Sequence, residues 1–208
     1  MEFAKEHDIK IGTIADLIHY RSRTESIVER VGERVMQTAH GAFRAIMYVD
    51  RPTGTPHIAL VRGTPTPDTE TPVRVHEPIS LLDLLETGSS THSWTLDAAM
   101  REIAARDLGV IVMLNCGESK EHLVDVFKAF DQKERAEALA RRPVDFKTYG
   151  VGAQILRELG VGRMQVLSKP RRLGSMSGYG LEVTGFIPMP GSQTEAPCPP
   201  EAAERTAQ

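Results

Sequence analysis

The spacing of apolar residues changes near residue 78, and this change limits the folds that the chain can adopt. From residue 27 to residue 76, short apolar runs alternate with turn residues, a pattern that predicts strands joined by short links. Short links favour antiparallel neighbours. Beyond residue 78, helical periodicity alternates with apolar runs such as residues 109–114, which are typical of a buried strand. The sequence therefore predicts a mixed α+β fold, with a β-rich N-terminal part followed by alternating helices and strands.

Helices are predicted at residues 13–21, 95–104, 118–139 and 151–159. Thr13 and Thr95 stand where N-capping residues belong, at the start of the first two. The last residues are rich in Pro, Ala, Glu, Ser and Thr and have few bulky apolar side chains. Such a tail cannot offset the entropy lost on ordering, so we expect it to be disordered.

Composition excludes several classes of protein. The 208 residues are 40% hydrophobic, enough for one core, and the net charge of −3 argues against a nucleic-acid-binding surface. The two cysteines, Cys116 and Cys198, cannot supply a disulfide framework or a cysteine metal cluster. No apolar run approaches the ~20 residues of a membrane span, and the charged first residues lack a signal-peptide pattern. We expect a cytoplasmic protein without nucleic-acid or membrane partners.

Three stretches resemble the GTP cyclohydrolase II family of riboflavin synthesis. They are Arg-Val-His at 74–76, Tyr-Gly-Val-Gly-Ala-Gln-Ile-Leu-Arg-Glu-Leu-Gly at 149–160, and Gly-Tyr-Gly-Leu-Glu-Val at 178–183. Residues 5–18 resemble the C-terminal end of 3,4-dihydroxy-2-butanone 4-phosphate synthase, which precedes the cyclohydrolase in bifunctional riboflavin proteins. The resemblance implies the end of a synthase domain and a linker (1–27), a GTP cyclohydrolase II-like domain (28–190) and a disordered tail (191–208). It also implies an upstream synthase domain as partner, and a homodimer.

The family holds a catalytic zinc with three cysteines, and this chain departs from that pattern. Counted from Arg-Val-His, the three positions hold Ile79, Ser90 and His92. A catalytic zinc site needs three protein ligands, and among these residues only the histidine is a good one. We therefore predict no metal ligands and no zinc cofactor. A site rebuilt from His92, His76 and Cys116 stays an alternative.

The nucleotide-binding side of the family is also altered. The family's Glu-Gly-Arg is matched by residues 117–119, where Ser119 replaces an arginine suited to phosphate and Lys120 could substitute for it. Pro78 stands among the residues that follow Arg-Val-His and removes a backbone donor.

Other family positions survive. Asp145 aligns with the family's proton-accepting aspartate and Lys147 replaces its catalytic arginine, so both are vestigial catalytic candidates. An aspartate before a helix also serves as a cap, and basic loop residues also face water. The candidate nucleotide- or phosphate-binding residues are Arg74, His76, Ser168, Lys169 and Arg172.

The surviving scaffold and the lost ligands together indicate a domain without cyclohydrolase activity that has a structural or regulatory role for a synthase. Two alternatives stay open. One is an active GTP cyclohydrolase II-type hydrolase with a rearranged metal site. The other is a metal-free module that binds GTP or another phosphate.

Overall fold

The computed structural model describes residues 2–78, 80–84, 92–115, 118–129, 146–171, 173 and 176–190. The strands are β1 (Val28–Thr38), β2 (Gly41–Asp50), β3 (Pro56–Arg62), β4 (Glu70–His76), β5 (Gly109–Met113), β6 (Arg163–Leu167) and β7 (Glu182–Ile187). The helices are α1 (Glu2–Glu6), α2 (Ile14–Thr24), α3 (Leu96–Arg106), α4 (Lys120–Ala129) and α5 (Phe146–Glu158), with two 3₁₀ helices at Leu81–Leu84 and Met176–Tyr179. The predicted mixed α+β fold is confirmed.

All the described strands join one seven-stranded sheet, in the order β1-β2-β3-β5-β4-β6-β7. The β1–β2, β2–β3 and β3–β5 pairs are antiparallel, whereas β4–β5, β4–β6 and β6–β7 are parallel. The expectation that short links give antiparallel neighbours is right for β1 to β3 and wrong for β4. The link at residues 63–69 is long enough to cross two strand spacings of about 4.8 Å each. The position beside β3 is therefore occupied by β5, which follows α3 in the chain and lies between β3 and β4.

The sheet buries a different helix on each face, because alternate strand residues point to opposite sides. On one face, α3 covers a cluster that includes Phe43, Leu60, Trp94, Ile103 and Ile111. On the other face, α5 covers a cluster that includes Ile46, Tyr48, Val112, Ile155 and Leu156.

Both predicted helix caps are present. The hydroxyl of Thr13 accepts a hydrogen bond from the N–H of Asp16, whose carboxylate accepts one in return, so α2 begins with a capping box. Thr95 accepts from the N–H of Ala98 at 3.2 Å and begins α3. α2 does not lie on the sheet but packs against the second 3₁₀ helix.

Two predictions fall partly or wholly outside the described residues. α4 ends at Ala129, and residues 130–145, where the predicted helix continues, are not described. The same holds for the predicted disordered tail at 191–208. Within the described ranges, every helix is too short or too polar to span a bilayer.

Candidate functional site

The candidate site lies where β4, β5, β6 and β7 end. These four strands run in the same direction, so their last residues, His76, Met113, Leu167 and Ile187, share one edge of the sheet. We call it the carboxyl edge. Ligands of open sheets with parallel strands bind beyond this edge. The loops that follow β4, β5 and β6 carry most of the family positions singled out in the sequence.

Arg74 lies beneath the carboxyl edge and is 6% exposed. Its Nη1 donates to the carbonyl oxygen of Leu167 and its Nη2 to that of Trp94, both at 3.1 Å. Burial and, to a smaller extent, the nearby charge of Arg171 lower the pKa of Arg74 to about 10, so the side chain stays protonated at neutral pH. No carboxylate in the described part of the chain forms an ion pair with it. Arg74 therefore joins β4 to β6 and to the segment before α3.

Trp94 is a structural residue that sequence reasoning missed. It is 1% exposed, and its indole N–H donates to the carbonyl oxygen of Ile187 at 2.8 Å while its own carbonyl accepts from Arg74. Trp94 thus ties the residue before the α3 cap to the end of β7. The sequence contains a signal that could have found it, because Trp94 is the single tryptophan of the chain and directly precedes the capping Thr95.

His76 and His92 lie side by side at the carboxyl edge. His76 ends β4 and is fully buried, and its ring centroid is 4.6 Å from that of the half-buried His92, with the planes tilted by 47°. The structure therefore brings these two candidates together. Within the described residues, no three His, Cys, Asp or Glu side chains are grouped so that they could hold a metal.

The loop after β6 carries the other described phosphate-binding candidates. Ser168 is 3% exposed, and its hydroxyl donates to the carbonyl oxygen of Lys169 at 2.9 Å. Lys169 and Arg171 are exposed. Arg171 is near enough to Tyr149, at the start of α5, to oppose the rise in the tyrosine's pKa that burial causes. Arg171 is also close enough to Arg74 to lower its pKa, so one exposed basic group lies near the buried arginine.

The segment that replaces the family's Glu-Gly-Arg begins α4. The hydroxyl of Ser119 accepts a hydrogen bond from the N–H of His122 at 3.1 Å, as an N-cap does. Lys120, the candidate substitute for arginine, is highly exposed, and its Nζ lies 3.6 Å from a carboxylate oxygen of Glu121.

A cavity of 290 Å³ lies next to the carboxyl edge. Its floor is Met47, Ile58 and Met113, on the face of the sheet that also carries α3. The loops after β4 and β5 complete the lining with mainly apolar side chains, together with the polar groups of Ser80, Asn115 and Glu118. None of the described lining residues is a lysine or an arginine.

His57 lies under the loop after β5 and is 4% exposed. Its Nδ1 accepts a hydrogen bond from the backbone N–H of Asn115 at 3.1 Å, so this nitrogen carries no proton and the imidazole is neutral. Burial lowers the pKa of His57, and the charge of Asp50 opposes this shift. His57 therefore holds the residue from which the loop leaves β5.

Several predicted site residues lie outside the described part of the chain. They are Ile79, Ser90, Cys116, Asp145 and Arg172. Lys147 lies in the first turn of α5, and its side chain is also outside what the structure describes. Their predicted roles stay predictions.

The fold and the carboxyl edge define a class of protein: a mixed-sheet α+β domain with Arg-Val-His at the end of a central parallel strand. The sequence model of GTP cyclohydrolase II matches residues 29–188. The chain belongs to the GTP cyclohydrolase II family.

Relatives place this domain in longer proteins. A 3,4-dihydroxy-2-butanone 4-phosphate synthase of Neisseria meningitidis serogroup B is 45% identical over 89% of this chain and 49% of its own length. A 3,4-dihydroxy-2-butanone 4-phosphate synthase from Pseudomonas syringae pv. tomato is 41% identical over 91% of this chain and 51% of its own length. The riboflavin biosynthesis protein RibBA of Bacillus subtilis is 36% identical over 91% of this chain and 50% of its own length. The chain therefore spans about half the length of these relatives.

A solved structure shows the same relationship. The crystal structure of RibBX, a two-domain 3,4-dihydroxy-2-butanone 4-phosphate synthase from A. baumannii, is similar to this chain with a TM-score of 0.53 and 35% identity. The similarity covers 89% of this chain and 47% of that one.

Proposed function

We propose that this chain is a GTP cyclohydrolase II-like module that lacks cyclohydrolase activity and has a structural or regulatory role for a 3,4-dihydroxy-2-butanone 4-phosphate synthase. The observation that carries the proposal is the cavity beside the carboxyl edge. Its described lining is mainly apolar, and the one charged residue among the described lining residues, Glu118, is an acid. A triphosphate is recognised by arginine and lysine, so these described walls suit it poorly.

The donor chemistry supports the loss of zinc. Of the three positions where the family has cysteines, Ile79 cannot ligate and a neutral Ser90 is a poor ligand. His92 has a ligating nitrogen, but its described neighbour His76 provides no more than a second donor. These residues therefore do not fit a three-ligand zinc site.

The relatives support the link to a synthase. Those from Neisseria meningitidis and Pseudomonas syringae are named for synthase activity alone, although this chain covers only half of each. They share more identity with this chain than RibBA of Bacillus subtilis does. A module without its own catalysis, joined to a synthase half, accounts for that pattern. Homodimer assembly and a cytoplasmic location are further parts of this proposal.

The test is zinc content measured together with formate release from GTP by the purified chain. We expect neither zinc above the buffer level nor formate above the protein-free rate. The triple variant Ile79→Cys, Ser90→Cys and His92→Cys is the control for metal detection, since it restores the family's donors. One zinc per unmodified chain with metal-dependent formate release would mean a rearranged active site and end the proposal.

A second function is favoured by one observation: the positive charge of Arg74 is buried without a described carboxylate partner and lies close to Arg171. A bound phosphate could neutralise both. A metal-free GTP- or phosphate-binding module would melt at a higher temperature with GTP or inorganic phosphate, because a ligand that binds only the native state stabilises it. The shift should disappear in Arg171→Met, and its absence from the unmodified chain would exclude this function.

A further inference from the structure

The face of the sheet that carries α3 has a second row of apolar side chains beyond the helix. α3 covers the row to which Leu60 on β3 and Ile111 on β5 belong. Two residues nearer the carboxyl edge, on the same face, the next row across β2, β3 and β5 is Met47, Ile58 and Met113. This second row is the floor of the 290 Å³ cavity, and Met47 is 36% exposed there.

The floor has the dimensions of a small planar molecule. Three adjacent strands lie about 4.8 Å apart, so the row runs about 10 Å across the sheet. The volume of 290 Å³ is close to the lower limit of about 300–1,000 Å³ for ligand pockets. The sulfur atoms of Met47 and Met113 make favourable contacts with aromatic rings, and Pro56 and Pro78 provide stiff apolar walls. This combination favours an aromatic ring system.

The hydrogen-bonding side chains of the cavity come from the loops at the carboxyl edge. Ser80 follows β4, whereas Asn115 and Glu118 follow β5, the strand that pairs with β4. One carboxylate oxygen of Glu118 is buried. A carboxylate accepts hydrogen bonds from N–H groups and repels an anion. Because the described lining residues include no lysine or arginine, the cavity is suited to a neutral or cationic ligand.

Both loops come from segments in which the sequence departs from the family. Pro78 and Ser80 flank position 79, where the family has a cysteine, and Glu118 belongs to the segment that replaces the family's Glu-Gly-Arg. The 3₁₀ helix that ends at Leu84 contacts α4, so the two walls meet each other. The altered segments therefore surround a cavity whose described walls suit a ligand other than a triphosphate.

We propose that this cavity is a binding site for a small planar aromatic molecule that has N–H groups on one edge and no phosphate. The ring lies on the floor of Met47, Ile58 and Met113, and the N–H edge faces Glu118. The proposal rests on the regulatory part of the proposed function, for which it names the class of ligand. A ligand held between the sheet and both loops stabilises the native state, because the unfolded chain has no such site.

The first experiment follows the methionine methyl groups of the 208-residue chain by NMR. The probe is 2-aminobenzimidazole, a flat bicyclic ring with N–H groups on one edge. We expect saturable upfield shifts of the Met47 and Met113 methyl signals, because both would lie against the face of the ring. Met164, buried in the cluster on the other face of the sheet, is the internal control and should not shift.

The anionic probe benzimidazole-2-sulfonate has the same ring with a negative charge on the edge that would face Glu118. It should bind at least tenfold more weakly than 2-aminobenzimidazole. Absence of saturable shifts, equal affinity for the two probes, or displacement of 2-aminobenzimidazole by GTP would overturn the proposal. In the last case the ligand would be a nucleotide.

Two glutamate variants test the charge in the cavity. Glu118→Gln keeps the shape of the side chain and should weaken 2-aminobenzimidazole about tenfold or more, while narrowing the difference between the two probes. Glu121→Gln is the matched control, since Glu121 is an exposed acid in the first turn of α4 and should leave the affinity unchanged. Equal affinities of the two variants for 2-aminobenzimidazole would remove Glu118 from the site.

A floor variant gives a readout with the opposite sign. Met47→Lys places a cation in the cavity, so 2-aminobenzimidazole should bind at least tenfold more weakly and the sulfonate more tightly. Val35→Lys, at an exposed position on β1, should change neither affinity. Equal melting midpoints of the two variants show that the fold is intact, and unchanged probe preference in Met47→Lys would contradict the proposed floor. Failure of the proposed function is seen separately, as zinc-dependent formate release from GTP, which needs no probe.

Discussion

Arg74 shows what the sequence can say about a single residue. Its place in Arg-Val-His and its charge predicted a phosphate contact. In the structure both terminal nitrogens bind carbonyl oxygens, from Leu167 on β6 and Trp94 before α3. Residue type specifies that a cation is present, but its partners come from segments 20 and 93 residues away. The phosphate role stays a prediction, and the structural role can be measured.

Replacing Arg74 with methionine should destabilise the protein strongly. Two buried carbonyl groups lose their donors, and each unsatisfied group costs about 1–3 kcal/mol. We expect a loss of about 2–4 kcal/mol in the free energy of unfolding, measured with urea. The control is Arg171→Met, whose exposed side chain should change stability by less than about 0.5 kcal/mol. Equal stability of the two variants would show that the hydrogen bonds of Arg74 contribute little.

His57 should make stability depend on pH. Burial lowers its folded-state pKa below the ordinary value of 6.5, so the unfolded chain binds a proton that the folded protein does not. Stability is then lost as pH falls from about 6.5 towards the lowered pKa, with a slope of at most about 1.4 kcal/mol per pH unit from one group. In His57→Gln, urea unfolding between pH 7 and pH 5 should show a smaller slope. His19→Gln, at an exposed position on α2, should keep the original slope, and a His57→Gln slope equal to it would disprove this assignment.

At the scale of elements, the sequence predicted the helix caps correctly but did not predict which strands are neighbours in the sheet. Thr13 and Thr95 were predicted as caps because capping depends on three or four consecutive residues, and both act as caps. The neighbour of β3 was misjudged because strand order depends on where a crossover returns. α3 brings β5 back between β3 and β4, which no short window of sequence reveals.

The loops at the opposite edge of the sheet meet closely at Gly162. A Cβ there would lie 2.4 Å from the backbone oxygen of Pro67, while the φ angle of Gly162 is outside the left-handed region, so the constraint is steric. Gly162→Ala should therefore cost about 1–3 kcal/mol, read from the urea midpoint. Gly32→Ala is the control, because nothing lies within 4 Å of its added Cβ. If both variants unfold at the same midpoint, the two loops separate more easily than their geometry indicates.

At the scale of the whole molecule, the sheet with α3 and α5 forms the core, and the N-terminal residues lie apart from it. α1 has no buried residue, and the link that follows it is exposed. The core clusters begin with Ile27 and Val28, at the start of β1. The free energy of unfolding should therefore not depend on the first residues.

Deleting residues 2–11 should leave the free energy of unfolding unchanged to within about 0.5 kcal/mol. Ile155→Ala serves as the sensitivity control, since this fully buried residue of α5 should cost about 2–5 kcal/mol. Both are measured by urea unfolding. A large loss on deletion would mean that the segment stabilises the domain itself.

The candidate site was predicted in part. The resemblance pointed to the loops at the carboxyl edge, where the structure places His76 beside His92, whereas the replacement of the family's zinc-binding cysteines stays a prediction. The cavity floor of Met47, Ile58 and Met113 was not anticipated, because its three residues come from three strands. Taken alone, each of these three residues would be predicted as an ordinary core residue.

The sequence by itself determined the class of fold, the succession of strands and helices along the chain, the helix caps and the family. These features rest on apolar periodicity and on motifs of a few consecutive residues, which the chain carries wherever it folds. The tertiary structure alone decided the insertion of β5 beside β4, the burial of Arg74 and the apolar cavity. Each of these depends on residues far apart in the chain, whose packing and dielectric surroundings exist only once the sheet has formed.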